Sequence, residues 1–94
     1  ENTISSAHQA ADHLLNFLDN IYKTWPALKQ SPLYITGESF GGHYVPALQE
    51  QLLLMKHGEH NLGKIIGNSI GDGWTDPINQ VNYYDSYLWS VGVV

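Results

Sequence analysis

Residues 33–48 read LYITGESFGGHYVPAL, a short apolar run followed by a glycine-bounded serine and a helix-like stretch. Ser39 lies in the pattern Gly-x-Ser-x-Gly, which is typical of a nucleophile elbow when it joins a strand to a helix. Such a turn holds the serine at positive φ and lifts its hydroxyl above the sheet edge. Gly37 and Gly41 are expected there because a Cβ at either position would collide with the neighbouring strand or helix. The alternative is an ordinary glycine-rich turn, since three fixed positions also arise by chance.

An amphipathic helix is predicted before this stretch. Ser6 and Gln9 fit a capping box at its start, and Pro26 ends it. Residues 29–32 then connect the helix to the first strand. The apolar face of the helix is predicted from residues three or four apart, namely Ala7, Ala11, Leu14, Leu18, Ile21 and Trp25.

Two strands and a second helix follow. Residues 33–36 predict a buried strand, because polar and apolar residues do not alternate in it. The helix after Ser39 is predicted to reach about residue 57. Its regular part is expected to start near Val45, because Pro46 lacks a backbone donor. Residues 65–70 predict the second strand.

A turn and a last helix complete the chain. Asp76 and Pro77 suit the N-cap and first helical position, and Gly92 closes a helix over residues 78–91. The order helix, strand, helix, strand, helix predicts parallel strands with crossover helices, hence an α/β layered sheet. Two strands alone would leave both sheet edges open, so we expect the rest of the sheet to lie outside these residues.

Composition excludes several classes of protein. The 94 residues are 43% hydrophobic and 14% charged, which is unlike a disordered or fibrous chain. Four lysines, no arginine and a net charge of −5 make nucleic acid and anionic membranes poor partners. No apolar run is long enough for a membrane span, and the lack of cysteine excludes thiol catalysis and thiolate zinc sites. We expect neither a cofactor nor a metal ion.

Both ends of the sequence are interpreted as cut. The chain starts without Met and without an apolar secretory segment, and it stops in the apolar pair Val93 and Val94. We therefore expect residues 1–94 to be one partial domain, truncated at both ends, of a larger protein. The sequence does not indicate the oligomeric state.

A catalytic triad cannot be completed within the chain. A serine hydroxyl is a weak nucleophile until a histidine accepts its proton and a carboxylate orients that histidine. After a nucleophile elbow, the acid and then the histidine follow in the sequence. Asp72, Asp76 and Asp85 follow Ser39, but the last histidine is His60.

Three neighbours of Ser39 are candidates for other roles. The backbone N–H of Phe40 is predicted to be one oxyanion donor, aided by the positive end of the helix that follows. His43 is predicted to be a packed interior residue rather than the catalytic base. Glu38 is either a solvent-facing position or, if burial keeps it protonated, a hydrogen-bond donor to a substrate carboxylate.

Three further patterns have simpler explanations. Residues 58–64 resemble a phosphate-binding loop, but Ile65 stands where Ser or Thr must hold magnesium, and a helix precedes the loop. His57, Glu59 and His60 fit a solvated loop better than a metal site. An aromatic cluster is interpreted as core packing rather than a stacking platform; it comprises Trp74, Tyr83, Tyr84, Tyr87 and Trp89.

Residues 33–48 resemble the nucleophile signature of the serine carboxypeptidases, which have the α/β-hydrolase fold. Phe40 stands where most members have Tyr. Residues 70–77 read IGDGWTDP and are similar to the family's second landmark, with Asp72 in place of the usual Asn. The first helix ends in Trp25-Pro26, similar to the family's Phe-Pro. The resemblance covers nearly the whole chain.

The resemblance implies a fragment of an α/β-hydrolase parallel sheet. It implies that the parent is a secreted, lysosomal or vacuolar serine-type carboxypeptidase, which removes C-terminal residues from peptides and proteins at acidic pH. Ser39 would be the nucleophile, Phe40 N–H one oxyanion donor and Glu38 part of the site for the substrate's terminal carboxylate. The catalytic Asp and His and an Asn-Gly-Gly-Pro-Gly loop are expected outside these residues, so the isolated fragment is predicted to be inactive.

Three alternatives remain open at this point. The parent could be an acyltransferase on the same scaffold, in which an alcohol receives the acyl group. It could be a homologue that has lost its downstream His or Asp and survives as a binding protein. The chain could also be the truncated, unfolded product of a gene fragment.

Overall fold

A computed structural model describes residues 3–55, 62 and 65–94. The segment that resembles a phosphate-binding loop lies outside the described residues except for Leu62, and so does the trio His57, Glu59 and His60. The helices are α1 (Ala7–Thr24), α2 (Gly41–Leu54), α3 (Pro77–Gln80) and α4 (Tyr84–Ser90), the strands are β1 (Leu33–Glu38) and β2 (Ile65–Gly71), and 3₁₀ turns cover Pro26–Gln30 and Val81–Tyr83.

The two strands pair in parallel with α2 between them in the sequence, as the α/β prediction requires. Glu38 lies opposite Gly71, and Gly37 lies opposite Ile70. Because parallel strands end at the same edge, Ser39 and Asp72 both follow directly at the carboxyl edge of the sheet. This edge carries the candidate site.

Helix α1 starts at the predicted cap. The Ser6 hydroxyl accepts a hydrogen bond from the Gln9 N–H at 3.2 Å, which satisfies one of the free donors of the first turn. The Gln9 side chain does not return to Ser6; its Oε1 accepts from the Ser5 N–H at 2.8 Å instead. The capping box is therefore displaced by one residue, and α1 ends at Thr24, before Pro26.

The described core lies between α1 and α2. Ala11 and Leu15 of α1 pack with Ala47 and Leu48 of α2, and Ala11 is fully buried. The predicted apolar face of α1 is only partly right, because Leu14 is 38% exposed and Trp25 is 58% exposed. Helix α2 contacts α1 along the stripe that contains Ala11 and Leu15, so the adjacent stripe has no described helix against it.

Strand β1 differs from the predicted buried strand. Its residues alternate between half-buried and exposed, and Tyr34 is 63% exposed. Among the described elements, α2 is the helix with substantial contacts to both strands, and it packs on one face of the sheet. The alternation of burial along β1 therefore arises because the sheet is packed on one face, and not because polar and apolar residues alternate in the sequence.

The positions of the helix ends correct two further predictions. Helix α2 begins at Gly41, not near Val45, and continues through Pro46 with one backbone donor fewer. The single last helix is observed as α3, a 3₁₀ turn and α4. Gly92 closes it as predicted, with a φ of 73°.

The aromatic residues of this last part are not core residues among the described contacts. Tyr83, Tyr84, Tyr87 and Trp89 are between 53% and 76% exposed. In the described ranges, the main packing partner of α4 is the adjoining 3₁₀ turn, which buries little of these side chains. The core interpretation of this cluster is therefore wrong for these four residues. No helix in the described ranges is both long enough and apolar enough to cross a bilayer.

Candidate active site

Ser39 lies in the turn between β1 and α2 and is exposed to solvent. Its φ is 54°, a left-handed conformation that is rare for residues with a Cβ. Because β1 ends at Glu38 and α2 begins at Gly41, the chain reverses direction within two residues. The turn therefore presents Ser39 at the edge of the sheet and next to the N-terminus of a helix.

Both backbone polar groups of Ser39 are bonded to surrounding loops. Its N–H donates to the carbonyl of Gly71 at 3.0 Å. Its carbonyl accepts from the N–H of Gly42 at 3.0 Å and from the N–H of Trp74 at 2.8 Å. A strained backbone conformation persists only when the surrounding structure holds it in place. These three hydrogen bonds hold the backbone of Ser39 in this way.

The glycines around Ser39 do not all serve the predicted purpose. A Cβ at Gly37 would lie 2.7 Å from Val45 Cγ2, so this position requires glycine. A Cβ at Gly41 would have no described atom within 4 Å, which contradicts the predicted collision there. The close approach occurs instead at Gly42, whose Cβ would lie 2.7 Å from backbone atoms of Trp74. The requirement for glycine on the helix side thus lies one residue later than the motif suggests.

The loop after β2 also supports the turn at Ser39, through hydrogen bonds to its backbone. Asp72 also has a positive φ, 42°, so each strand is followed directly by a residue with left-handed backbone. A Cβ on Gly73 would meet Ile70 Cγ2 at 2.4 Å, so this glycine allows the loop to fold back over β2. The sequence predicted a turn before the last helix, but not the hydrogen bonds that Gly71 and Trp74 of this turn make with Ser39.

The side chain of Gln80 holds this loop. Its Oε1 accepts from the N–H groups of Thr75 (3.0 Å) and Asp76 (2.8 Å), and its Nε2 donates to the carbonyl of Gly73 (3.0 Å). Asp76 caps α3 as predicted, because its carboxylate accepts from the Asn79 N–H at 3.4 Å. Sequence reasoning did not single out Gln80; the signal available was a glutamine four residues after a helix N-cap.

Aromatic rings pack beside the elbow. The Phe40 ring lies edge-on to His43 with centroids 4.6 Å apart, and it is 5.9 Å from the Trp74 ring. The His43 ring stacks on Trp74 at 5.9 Å with 15° between the planes. His43 is half-buried in this cluster, which agrees with its predicted packing role. Among the described atoms, the buried Trp74 Nε1 has no hydrogen-bond partner.

The backbone N–H of Phe40 lies at the N-terminal end of α2. Phe40 is the N-cap residue of this helix, with φ −63° and ψ −10°. Within the described part of the chain, no hydrogen bond uses this N–H. The helix of 14 residues behind it contributes a partial positive charge at the same end.

Glu38 is the last residue of β1 and is exposed among the described residues. Its side chain lies over Gly71, in an open cleft of about 430 Å³ that Asp72 also lines. Two acidic residues, Glu38 and Asp72, therefore line this cleft. The described residues do not bury Glu38, so they do not supply the burial on which its predicted protonation depends.

A second open cleft, of about 770 Å³, contains Ser39 itself. Of the acids that follow Ser39, Asp76 is used as a helix cap and Asp85 accepts from the Ser86 N–H at 2.7 Å. Within the described ranges, no three side chains of His, Asp or Glu are arranged to hold a metal ion. The cleft is lined by Ser39, Asp72, Gly73, Trp74, Gln80, Tyr84 and Tyr87.

Comparison with known proteins gives a consistent result. The family model described as serine carboxypeptidase matches residues 1–94. The chain is 36% identical over 92 residues to vitellogenic carboxypeptidase of Aedes aegypti, covering 96% of this chain and 18% of that protein. It is 34% identical over 84 residues to carboxypeptidase Y of Saccharomyces cerevisiae, covering 87% of this chain and 15% of that protein. It is 36% identical over 91 residues to serine carboxypeptidase-like 50 of Arabidopsis thaliana, covering 96% of this chain and 20% of that protein. The chain thus spans a fifth or less of the length of these relatives.

Proposed function

The chain belongs to the serine carboxypeptidase family, and on that premise we propose that it carries the nucleophile of a serine-type carboxypeptidase. The observation that carries the proposal is the conformation of Ser39. It is an exposed serine with a φ of 54° between a strand and a helix, and both of its backbone groups are hydrogen-bonded. A structural serine in an ordinary turn would not need this strain or this constraint.

In the proposed reaction, Ser39 Oγ attacks the carbonyl carbon of the last peptide bond of the substrate. A histidine accepts the hydroxyl proton and passes it to the amine of the departing C-terminal residue, which leaves as a free amino acid. The shortened peptide remains as an ester on Ser39. Water then attacks the ester, with the same histidine as base, and restores the hydroxyl.

Phe40 is proposed to stabilise the oxyanion through its backbone N–H. As the charge on the carbonyl oxygen develops, a pre-oriented donor and the N-terminus of α2 favour the transition state over the bound substrate. The support is that this N–H has no acceptor among the described residues and lies immediately after Ser39. The replacement of Tyr by Phe should matter little, because the donor belongs to the backbone.

Glu38 is proposed to bind the terminal carboxylate of the substrate. It is adjacent to Ser39 at the carboxyl edge of the sheet, and its side chain lies in a cleft next to the elbow. A hydrogen bond to a carboxylate requires Glu38 to be protonated, which acidic conditions and burial under additional polypeptide would favour. This role would distinguish an exopeptidase from an enzyme that cleaves within chains.

The 94 residues are proposed to be a central part of a longer α/β-hydrolase domain, truncated at both ends. The sheet has only two described strands, and the aligned part is a fifth or less of the length of each relative named above. We infer that the catalytic Asp and His are supplied by that further polypeptide. By family membership we also propose the secretory pathway as the location and peptide or protein C-termini as substrates.

A fluorophosphonate probe on the full-length protein tests the proposal. This reagent forms a covalent phosphonate ester only with an activated serine, so we expect labelling of Ser39 and loss of labelling in Ser39→Ala. A peptide with a free C-terminus should lose its last residue, and the same peptide with an amidated C-terminus should react poorly.

The same experiment separates the alternatives. Labelling with transfer of the acyl group to an added alcohol in preference to water would identify an acyltransferase. Failure of the folded full-length protein to label would identify a non-catalytic binding homologue and refute the proposed function.

A further inference from the structure

We propose that Gln80 is a positioning residue for Ser39, acting through the loop formed by residues 73–76. The inference rests on the proposed role of Ser39 as nucleophile. Gln80 does not belong to the nucleophile motif, and it lies 41 positions after Ser39 in the sequence. Its side chain is nevertheless half-buried at the cleft that contains Ser39.

The bonding pattern requires an amide side chain. Gln80 Oε1 accepts from the N–H groups of Thr75 and Asp76, while Nε2 donates to the carbonyl of Gly73. These three groups lie on both sides of Trp74, so one side chain fixes the backbone before and after it. A flipped amide would place Nε2 against two N–H donors, so the partners determine its orientation.

Trp74 transmits this constraint to Ser39. The Trp74 N–H donates to the Ser39 carbonyl at 2.8 Å, and the Trp74 backbone lies directly against Gly42. A shift of the loop would therefore lengthen this hydrogen bond or push on the first turn of α2. Either change relaxes the turn that holds Ser39 at positive φ.

The other two amide side chains described near α3 do not bond to the backbone of this loop. Asn82 Nδ2 donates to the carbonyl of Ile78, and Asn79 bonds to Asp76 at the helix cap. Gln80 is instead the last residue of α3, and its side chain reaches back to the residues that precede the helix. A side chain that bonds to residues before the helix holds the loop in place, whereas a side chain that bonds within the helix stabilises only the helix.

The test uses the full-length enzyme with Gln80→Ala, Gln80→Glu and the control Asn82→Ala, which removes one side-chain bond from the same region. The measurements are the rate of fluorophosphonate labelling per folded molecule, kcat and KM on a peptide, and the thermal unfolding midpoint. A misplaced nucleophile slows the reaction of bound substrate rather than its binding. We expect kcat and the labelling rate of Gln80→Ala to fall about tenfold or more, with KM changed by less than about twofold.

Gln80→Glu separates positioning from stability. A carboxylate still accepts from Thr75 and Asp76 but cannot donate to Gly73, so its labelling rate should lie between wild type and Gln80→Ala. Asn82→Ala should label like wild type. If Gln80→Ala does not fold, the Glu variant decides the question alone.

Two results would overturn the inference, and they are distinguishable. If the wild type labels at Ser39 and the Gln80 variants label equally fast, with only a lower unfolding midpoint, Gln80 stabilises the fold and the proposed function stands. If the folded wild type does not label, the proposed function fails and this inference fails with it.

Discussion

Ser39 and Asp72 show how strain is concentrated at single residues of this protein. They are the non-glycine residues with positive φ in the described ranges, 54° and 42°, and each directly follows one of the two paired strands. Asp tolerates this region better than most residues, because its short polar side chain can bond locally. Asn does so as well, which is physically consistent with the family's usual Asn at position 72. The strain thus falls at the edge where the chemistry is proposed.

The pair Gly42→Ala and Gly41→Ala tests which glycine holds the elbow. A Cβ at Gly42 would lie 2.7 Å from the Trp74 backbone, which must then shift, whereas a Cβ at Gly41 has no described atom within 4 Å. We expect Gly42→Ala to destabilise the full-length protein by about 1–3 kcal/mol. Gly41→Ala should be neutral or up to about 1 kcal/mol stabilising, since alanine favours a helix. Urea unfolding measures both, and equal losses would contradict the assignment.

Glu38→Gln tests the proposed carboxylate site through pH. The proposed hydrogen bond to a terminal carboxylate needs a proton on Glu38, and an ionised Glu38 would repel that carboxylate, so the proposed role predicts a higher KM at alkaline than at acidic pH. A glutamine amide donates at every pH, so the KM of Glu38→Gln should depend much less on pH. Glu50→Gln is the matched control, because Glu50 pairs with His8 on the exposed surface of α1 and α2. If Glu38→Gln and wild type have the same pH profile of KM, the role is wrong.

At the level of helices and strands, short sequence signals correctly predicted the features that depend on local interactions. The Ser6 and Asp76 caps, the end of α1 before Pro26 and the closing Gly92 all follow from short-range hydrogen bonding and backbone geometry. Parallel pairing of the strands followed from the alternation of elements.

Long-range packing could not be predicted in the same way. Helix α1 offers apolar residues on two adjacent stripes, and only the position of α2 decides that Leu15 is buried while Leu14 is exposed. The contact of Gly42 with the Trp74 backbone joins segments 32 residues apart, and no sequence pattern records it. The sequence therefore predicted the turn at Ser39 between a strand and a helix, but not the loop that supports this turn.

The α1–α2 interface gives a prediction for its small residues. Ala11 of α1 is fully buried in the interface with α2, where it packs against Ala47 and Leu48. Ala11→Leu adds three carbons to this contact, so the helices must separate, at a cost of about 1–3 kcal/mol. Ala27→Leu makes the same change in an exposed turn and should alter stability by less than about 0.5 kcal/mol. Chemical unfolding of the full-length variants compares them, and similar values for both would contradict the packing argument.

The dimensions of the whole molecule are those of an incompletely packed unit. The radius of gyration is 17.0 Å, whereas a compact domain of this length has about 12 Å. The accessible surface is 7204 Å², against about 5,400 Å² for a folded monomer of this mass. Aromatic and aliphatic side chains of α3 and α4, such as Ile78 and Trp89, are 76–80% exposed. These 94 residues leave much apolar surface in contact with water.

The isolated 94 residues are therefore predicted not to fold stably on their own. Only seven hydrophobic residues are buried in the described ranges, and three of them are alanines. Burying them contributes too little to offset the conformational entropy of ordering the chain. Circular dichroism of the isolated polypeptide during urea titration should show weak helicity and no cooperative transition, and a fluorophosphonate should not label it. The full-length protein is the control and should unfold cooperatively. A sharp transition of the isolated chain at several molar urea would show instead that the α1–α2 contact and two paired strands suffice for a stable fold.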